Sequence, residues 1–503
     1  MNIKVVLLLI LSGLFTHSCF AQTTAERIDS FLAVMEQNQL FNGSVLVAKE
    51  GRVIYKRSYG YADRARKELN SDTAHFNLAS LSKPFTALAI LQLAQKGKIK
   101  LEDPFAKYLP GFPYPEITVH HLLTHTSGLP QLEIYERPYI EQHPDVLITS
   151  EDAYAHLVAL KQPLGFPPGD KWAYSNIGYT CLALLVERVS RMPFGEYMRK
   201  YIFIPAGMGN TIVRSPKAPN TPRYTIPAMY TTEYMNVDSV DHTKFYTYYN
   251  LGGIAGAGNV VSTLEDLLRF DNALYAGILI SPTLMDEAFK PVTLNDGKVY
   301  HLRGGNRSYG LGWNVIDDPG NDRVVFHDGH IVGIKTLMYR NLSKKITIIY
   351  YDNMDSPIPL DIVGTISRIL GNRELRKISL AKSLTRIYGE ALVKGGIDYA
   401  MTKFNQLKDD TAHYYVDESE MNALGYDLLY KADFAGHYDL SLEVFKINSL
   451  LYHSANSYDS YAEALMRSGK KEQAISMYKK SLLLKPDNAA GAGMLRQLLE
   501  QKK

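Results

Sequence analysis

Two strand-like runs near the start of the chain, with three more after residue 320, constrain its fold more than any other feature. The first pair lies in "GSVLVAKEGRVIYKRSYGYAD", residues 43–63, on either side of Glu50-Gly51. A Gly-containing break between two such runs predicts a hairpin. The later three are "RVVFHDG", "IKTLMYRN" and "KITIIYYDN", the last two parted by a tight turn at Leu342–Lys344. Strands in close succession pair antiparallel, because a parallel pair needs a crossover of about a dozen residues or more. Helical spacing surrounds them. Ile28, Phe31, Leu32 and Met35 recur within residues 23–40, and further helical pieces stand at 150–161, 177–191, 263–275 and 359–370. Bringing the first and last strands together makes one α+β domain from about residue 22 to about residue 375.

Beyond residue 375 the strand signals almost vanish, and no proline occurs until Pro486. There, Tyr458, Tyr461, Ala462, Leu465, Ala474, Tyr478 and Pro486 fall in the aromatic, small, small, aromatic, proline order of a tetratricopeptide repeat. Phe445 precedes Tyr478 by 33 residues, close to that period. Residues 376–503 therefore read as an all-α repeat domain, with a plain helical bundle as the alternative. Stacked helical repeats present a concave surface, so a protein partner is the expectation for this tail.

The N-terminus reads as an export signal. "MNIK" is positive, "VVLLLILSGLF" at residues 5–15 is apolar, and Ala21 offers a small residue for cleavage before Gln22. Eleven apolar residues are too few to cross a bilayer. With residues 1–21 removed, a periplasmic or secreted protein without a membrane span is expected. A lipid anchor at Cys19 is the second reading, because "FTHS" before it poorly matches a lipoprotein cleavage site. The other cysteine, Cys181, lies in an apolar helical run and reads as a buried thiol. A net charge of +3 without a basic run leaves no footprint for nucleic acid.

The chemistry centres on "NLASLSKPFTALAILQLAQKG", residues 77–97. Pro84 suits a first helical turn, an apolar helix follows, and Gly97 stops it. Ser80 reads either as an N-cap or as a nucleophile, since residues three apart on a helix meet and Lys83 can reach its hydroxyl. The motif decides nothing alone. Ser-x-x-Lys recurs at Ser379, Ser468 and Ser476, and Tyr-x-Asn is similarly common, at Tyr174, Tyr234, Tyr248 and Tyr351 among others.

Order and context decide more. "SLSK" opens an apolar helix after a hairpin. It is followed by "HLLTHTSGLP" (121–130), "PPGDKWAYSNIGYTCLALLVERVS" (167–190), "GGIAGAGNVVSTLEDLLRF" (252–270), "YGLGW" (309–313) and "HDGHIVG" (327–333). In these motifs the chain resembles the serine β-lactamase and penicillin-binding-protein superfamily, in the branch of class C β-lactamases, D-aminopeptidases and related esterases. The resemblance implies a five-stranded antiparallel sheet flanked by helices, a helical subdomain, and an active site between them. It implies Ser80 as the acylated nucleophile. Lys83 and Tyr174 form its coupled base, with Lys83 and His327 as cations near the phenol. Asn176 holds Lys83 or the substrate amide. The backbone N–H groups of Ser80 and His330 form the oxyanion hole, and Gly329 admits the substrate backbone to the strand.

One departure matters. Where Lys-Thr-Gly stands in many of these enzymes, this chain has His327-Asp328-Gly329. The fixed cation for a substrate carboxylate is missing. That favours small esters or short peptides, D-residue peptides included, over β-lactams. A β-lactamase or D-Ala carboxypeptidase is the enzymatic alternative, and a non-catalytic binding protein using the tail is the alternative from another class. No cofactor is expected. His121 and His125, four residues apart, have a spacing that can bind zinc, but they belong to a motif of the resemblance and are not read as metal ligands. Trp172 and Trp313 read equally as wall or core. Specificity is expected in residues 131–165 and 210–250.

Overall fold

The computed structural model describes residues 22–63, 67–132, 135, 139–140, 143, 145–214, 229–230, 239–240, 250–302, 305–316, 322–331, 333–354, 356–430 and 438–500. Helix α1 (Thr24–Gln37) starts at a capping box between Thr23 and Glu26 and buries Ile28, Leu32 and Met35, one stripe of its surface. Strands β1 (Gly43–Lys49) and β2 (Arg52–Tyr59) follow. Their turn puts Glu50 and Gly51 at φ 51° and 75°. Such a turn matches the twist of the strands it joins.

Helices α2 (Lys83–Gln95), α3 (Ser150–Leu160), α4 (Asn176–Ser190) and α5 (Leu264–Tyr275) intervene. The chain then returns to the sheet with β3 (Arg307–Tyr309), β4 (Asn314–Ile316), β5 (Val324–Ile331), β6 (Ile334–Asn341) and β7 (Ile346–Asp352), before α6 (Pro359–Leu370). The strand order is β3-β4-β5-β6-β7-β1-β2, antiparallel throughout. First and last strands lie side by side, Gly43 opposite Asp352 and Lys49 opposite Ile346. All five strands read from the sequence are in this sheet. Two three-residue strands, β3 and β4, extend it to seven; runs that short show no alternation to read.

The sheet separates two cores. Val45, Val47, Ile348 and Tyr350 face α1 and α6. The alternate residues Leu46, Met338, Ile349 and Tyr351 join Phe85 of α2, Leu182 of α4 and Leu267 of α5 in the larger core. Helix α2 is buried from Lys83 to Leu93, as an apolar helix at the centre of a domain must be.

Helices α7 (Leu384–Leu407, interrupted at Gly396), α8 (Glu418–Tyr430), α9 (Tyr438–Tyr452), α10 (Ala455–Arg467), α11 (Lys471–Leu484) and α12 (Ala489–Glu500) make an all-helical C-terminal region, beside a two-residue strand pairing of Lys382–Ser383 with Tyr414–Tyr415. Their buried residues form clusters of their own. Leu384, Tyr388, Phe404 and Leu424 belong to one; Phe445, Ala462, Leu465, Ala474 and Tyr478 to another. No helix of the described residues is long and apolar enough to cross a membrane. The leader, Cys19 included, lies outside the described residues.

Candidate active site

Ser80 stands in a single 3₁₀ turn, Ala79–Ser82, that runs straight into α2. It does not cap the helix with its side chain; the N-cap position falls on Ser82, which makes no side-chain cap bond either. The Ser82 hydroxyl instead accepts from Val260 N at 3.1 Å, and Leu78 N donates to Val260 O at 2.8 Å. Ala79 sits at φ 48°, a strained conformation for a residue with a Cβ, and its N–H is held by Asn77 Oδ1 at 2.8 Å. The turn is thus fixed from several sides, and Ser80 is left half-buried at its surface.

Lys83, one turn on, is fully buried. Its Nζ lies 3.1 Å from Ser80 Oγ, 2.9 Å from Asn176 Oδ1 and 2.8 Å from the Ala257 carbonyl. Burial pulls the ammonium down to about pKa 7, with the Asp328 carboxylate opposing. Two of the three partners can only accept. A neutral Lys83 therefore keeps its two N–H bonds to Asn176 and Ala257 and turns its lone pair to Ser80.

Asn176 opens α4, positioned by the Ser175 N-cap, whose hydroxyl accepts from Gly178 N. Tyr174 precedes it by two residues. Its ring centroid is 4.7 Å from Lys83 Nζ. Burial pushes the phenol well above the ordinary tyrosine range, against the lowering influence of Ser80. Of the coupled pair, the lysine is therefore the member that loses its proton near neutral pH.

Two of the three site residues on β5, His327 and Gly329, behave differently from expectation. His327 is not a cation beside Tyr174. It is buried, its Nδ1 meets the Asp328 carbonyl at 2.7 Å, and its Nε2 meets the Tyr309 hydroxyl at 3.1 Å. Burial brings its pKa down to about 4. Gly329 serves the protein's own backbone. A Cβ there would come within 2.0 Å of the Leu78 carbonyl and 2.4 Å of Thr336 Oγ1, which itself donates to Leu78 O at 2.8 Å. The glycine lets β5 lie against the turn that carries Ser80. His330 is exposed on the same strand. Strand β4 pairs with β5 only from Val324 to Phe326, whereas β6 pairs with it along its whole length.

A β-lactamase family model matches residues 27–372. The chain belongs to the β-lactamase family. It is 35% identical over 339 residues to penicillin-binding protein 4* of Bacillus subtilis, covering 66% of this chain and 73% of that one. Esterase EstB of Burkholderia gladioli is 35% identical over 203 residues, covering 37% of this chain and 51% of the esterase. Among solved structures, a penicillin-binding protein from Bacillus halodurans superposes with a TM-score of 0.58 at 26% identity, covering 67% of this chain and 98% of that one. The D-amino acid amidase of Ochrobactrum anthropi shares the fold, with a TM-score of 0.57 at 23% identity over 69% of this chain and 99% of its own. The protein is a serine hydrolase of the β-lactamase and penicillin-binding-protein type.

Three features of this β-lactamase-family site escaped the reading of its residues one by one. The Ala257 carbonyl bonded to Lys83 is a backbone group with no side-chain signature. Tyr309 lies in "YGLGW" but meets His327 only through the β3–β5 arrangement. His125, in "HLLTHTSGLP", is fully buried behind Tyr174 with ring centroids 4.4 Å apart. His121 does something else: its Nδ1 accepts from Thr118 N in the capping box of the short helix Val119–Leu123. Trp313 is core, whereas half-buried Trp172 stacks on Tyr300 at 4.9 Å. Of the two segments expected to set specificity, residues 150–160 are helix α3 and most of 210–250 lies outside the described residues.

Proposed function

We propose that the protein hydrolyses small esters or short peptides, D-residue peptides included, through an acyl-enzyme on Ser80. The observation that carries this is the Lys83 Nζ with two obligate acceptors and Ser80 as its third partner. As Ser80 Oγ bonds to the substrate carbonyl carbon, its proton passes to neutral Lys83. The N–H groups of Ser80 and His330 receive the oxyanion, where β5 lies against the serine turn. Collapse breaks the bond to the alcohol or amine, which takes its proton from Lys83 by way of the Tyr174 hydroxyl. Water then repeats the sequence on the acyl carbon, releasing the acid and restoring Ser80. Asn176 keeps Lys83 aimed throughout.

The buried, neutral His327 supports esters and peptides over substrates held by a carboxylate. The esterase among the relatives points the same way. Acylation by β-lactams or cell-wall peptides is the second reading, favoured by the likeness to penicillin-binding protein 4*. The 376–503 region is read as a tetratricopeptide-like domain for a protein partner, supported by Ala462, Ala474, Phe445 and Tyr478 sharing one core. Export is read from the apolar run at residues 5–15.

The test is intact mass after fluorophosphonate treatment of the protein and of Ser80→Ala, followed by turnover of p-nitrophenyl esters, D- and L-aminoacyl p-nitroanilides and a chromogenic cephalosporin. One adduct on the parent, none on the variant, and faster ester or anilide turnover support the proposal. A folded parent without an adduct overturns it. Dominant cephalosporin turnover moves the assignment to the second reading.

A further inference from the structure

His125 lies outside the groups that exchange protons in the scheme above, yet it grips the segment that carries two of the site residues at two points. Its backbone carbonyl accepts from Ala173 N at 2.9 Å, and its ring Nδ1 accepts from Ser175 N at 3.1 Å. Tyr174 lies between those two N–H groups, and Asn176 follows directly. The neighbouring backbone extends the grip, with Gly169 N on Thr126 O at 2.8 Å and Gly165 N on Gly128 O at 2.8 Å.

The ring's protonation state follows from this geometry. A nitrogen that accepts from an N–H carries no proton, so the proton of neutral His125 sits on Nε2. That Nε2 is buried and has no hydrogen-bond partner among the described residues. The rings of Tyr174, Tyr309, Tyr179 and Trp172 enclose the imidazole at 4.4, 4.9, 5.0 and 5.7 Å between centroids. Burial, with Lys83 and His327 adding to it, holds the imidazole far below its usual pKa. A group that leaves a buried donor unsatisfied costs stability that a purely apolar ring would not, so the Nδ1 acceptor and the backbone must need this residue. The backbone does: His125 sits at φ 60°, a region that histidine and asparagine enter more readily than most residues.

We propose that His125 is a positioning residue for the reaction, its Nδ1 fixing the Ser175 N–H and thereby aligning Tyr174 on Ser80 and Asn176 on Lys83. The inference rests on the acyl-enzyme reading of Ser80. It places the specific requirement on one acceptor atom, not on the bulk or polarity of the ring.

Two variants isolate that atom. His125→Asn can set its amide oxygen where Nδ1 stands and tolerates the same backbone. His125→Gln places its amide near the Nε2 position and leaves Ser175 N–H without an acceptor. Both remain polar at a buried site, so their folding penalties are comparable, and melting curves check this. Rates on a p-nitrophenyl ester are expressed per Ser80 titrated by fluorophosphonate, which removes any loss of folded protein. Expected is a kcat for His125→Gln about 100-fold below the parent with KM little changed, and a kcat for His125→Asn within about 5-fold. Equal kcat in the two variants, whether high or low, overturns the positioning role. So does a loss in His125→Gln that disappears on normalising to titrated sites. A parent that takes no label overturns the acyl-enzyme reading and this inference with it. A labelled parent without an Asn–Gln difference overturns this inference alone.

Discussion

Tyr309 donates its hydroxyl to His327 Nε2 across 3.1 Å, inside the core, on the strand that lies against Ser80's turn. The direction is set by the other nitrogen: Nδ1 faces the Asp328 carbonyl at 2.7 Å and must carry the proton. A neutral dipole therefore stands where Lys-Thr-Gly enzymes hold a cation. Burial keeps it neutral down to about pH 4.

This arrangement makes a pH prediction. In the proposed reaction Lys83 acts only after losing its proton, and its pKa is lowered to about 7. The value of kcat/KM should rise with pH, pass half-maximum near about 7 and level off above about 8. No limb should belong to His327, whose titration falls near 4. His327→Asn should leave the limb in place. A limb near the ordinary histidine pKa that vanishes in His327→Asn would contradict the assignment, and so would a limb near the ordinary lysine pKa.

Lys83→Arg keeps the positive charge and removes the proposed base. A guanidinium does not deprotonate in a protein, so it cannot take the Ser80 proton. We expect kcat to fall by about 10³-fold, within the range of lost general-base catalysis. Retention of more than a tenth of the parent rate would transfer the base role to Tyr174.

Gly329→Ala tests the contact between β5 and the serine turn. The new Cβ meets backbone at Leu78 O, 2.0 Å away, and backbone cannot swing aside like a side-chain tip. Overpacking of this kind costs about 1–3 kcal/mol. Urea unfolding should show that loss, and fluorophosphonate labelling of Ser80 should slow. Unchanged stability would mean that the approach is looser than described.

Away from the site, Arg340 Nε and Asp271 Oδ1 form a pair at 2.5 Å in which both side chains are buried, and Asp271 also accepts from Thr347 Oγ1. Asp271→Ala strands the guanidinium in the core. Removing one partner of such a pair costs about 3–5 kcal/mol. The midpoint of chemical denaturation should drop accordingly, with the pH–rate limb unmoved. A loss below about 1 kcal/mol would show the arginine finding other partners or water.

Much of this protein could be read from its residues because the relevant signals are local. The β-branched and aromatic run in "KITIIYYDN" and the turn at Glu50-Gly51 name a strand and a hairpin without any tertiary information. The apolar spacing of α2 and the proline at its start name the helix that carries Lys83. The order of the motifs made the family legible, and with it the grouping of Ser80, Lys83, Tyr174 and Asn176. The three-residue strands β3 and β4 were not legible, because a run that short has no period.

What the residues alone could not decide is the state of the groups they supplied. A lysine, a tyrosine and a histidine have ordinary titrations until burial and neighbours shift them, and those come from segments far apart in the chain. Lys83 falls to about 7 because α2 is buried all round and takes its ammonium out of water. His327 becomes neutral because packing buries it completely. Gly329 answers to the Leu78 carbonyl, a backbone atom that no motif records. Sequence determined which chemical groups are present and the elements that carry them; desolvation and contact, which exist only once distant segments pack, decided which of them can move a proton.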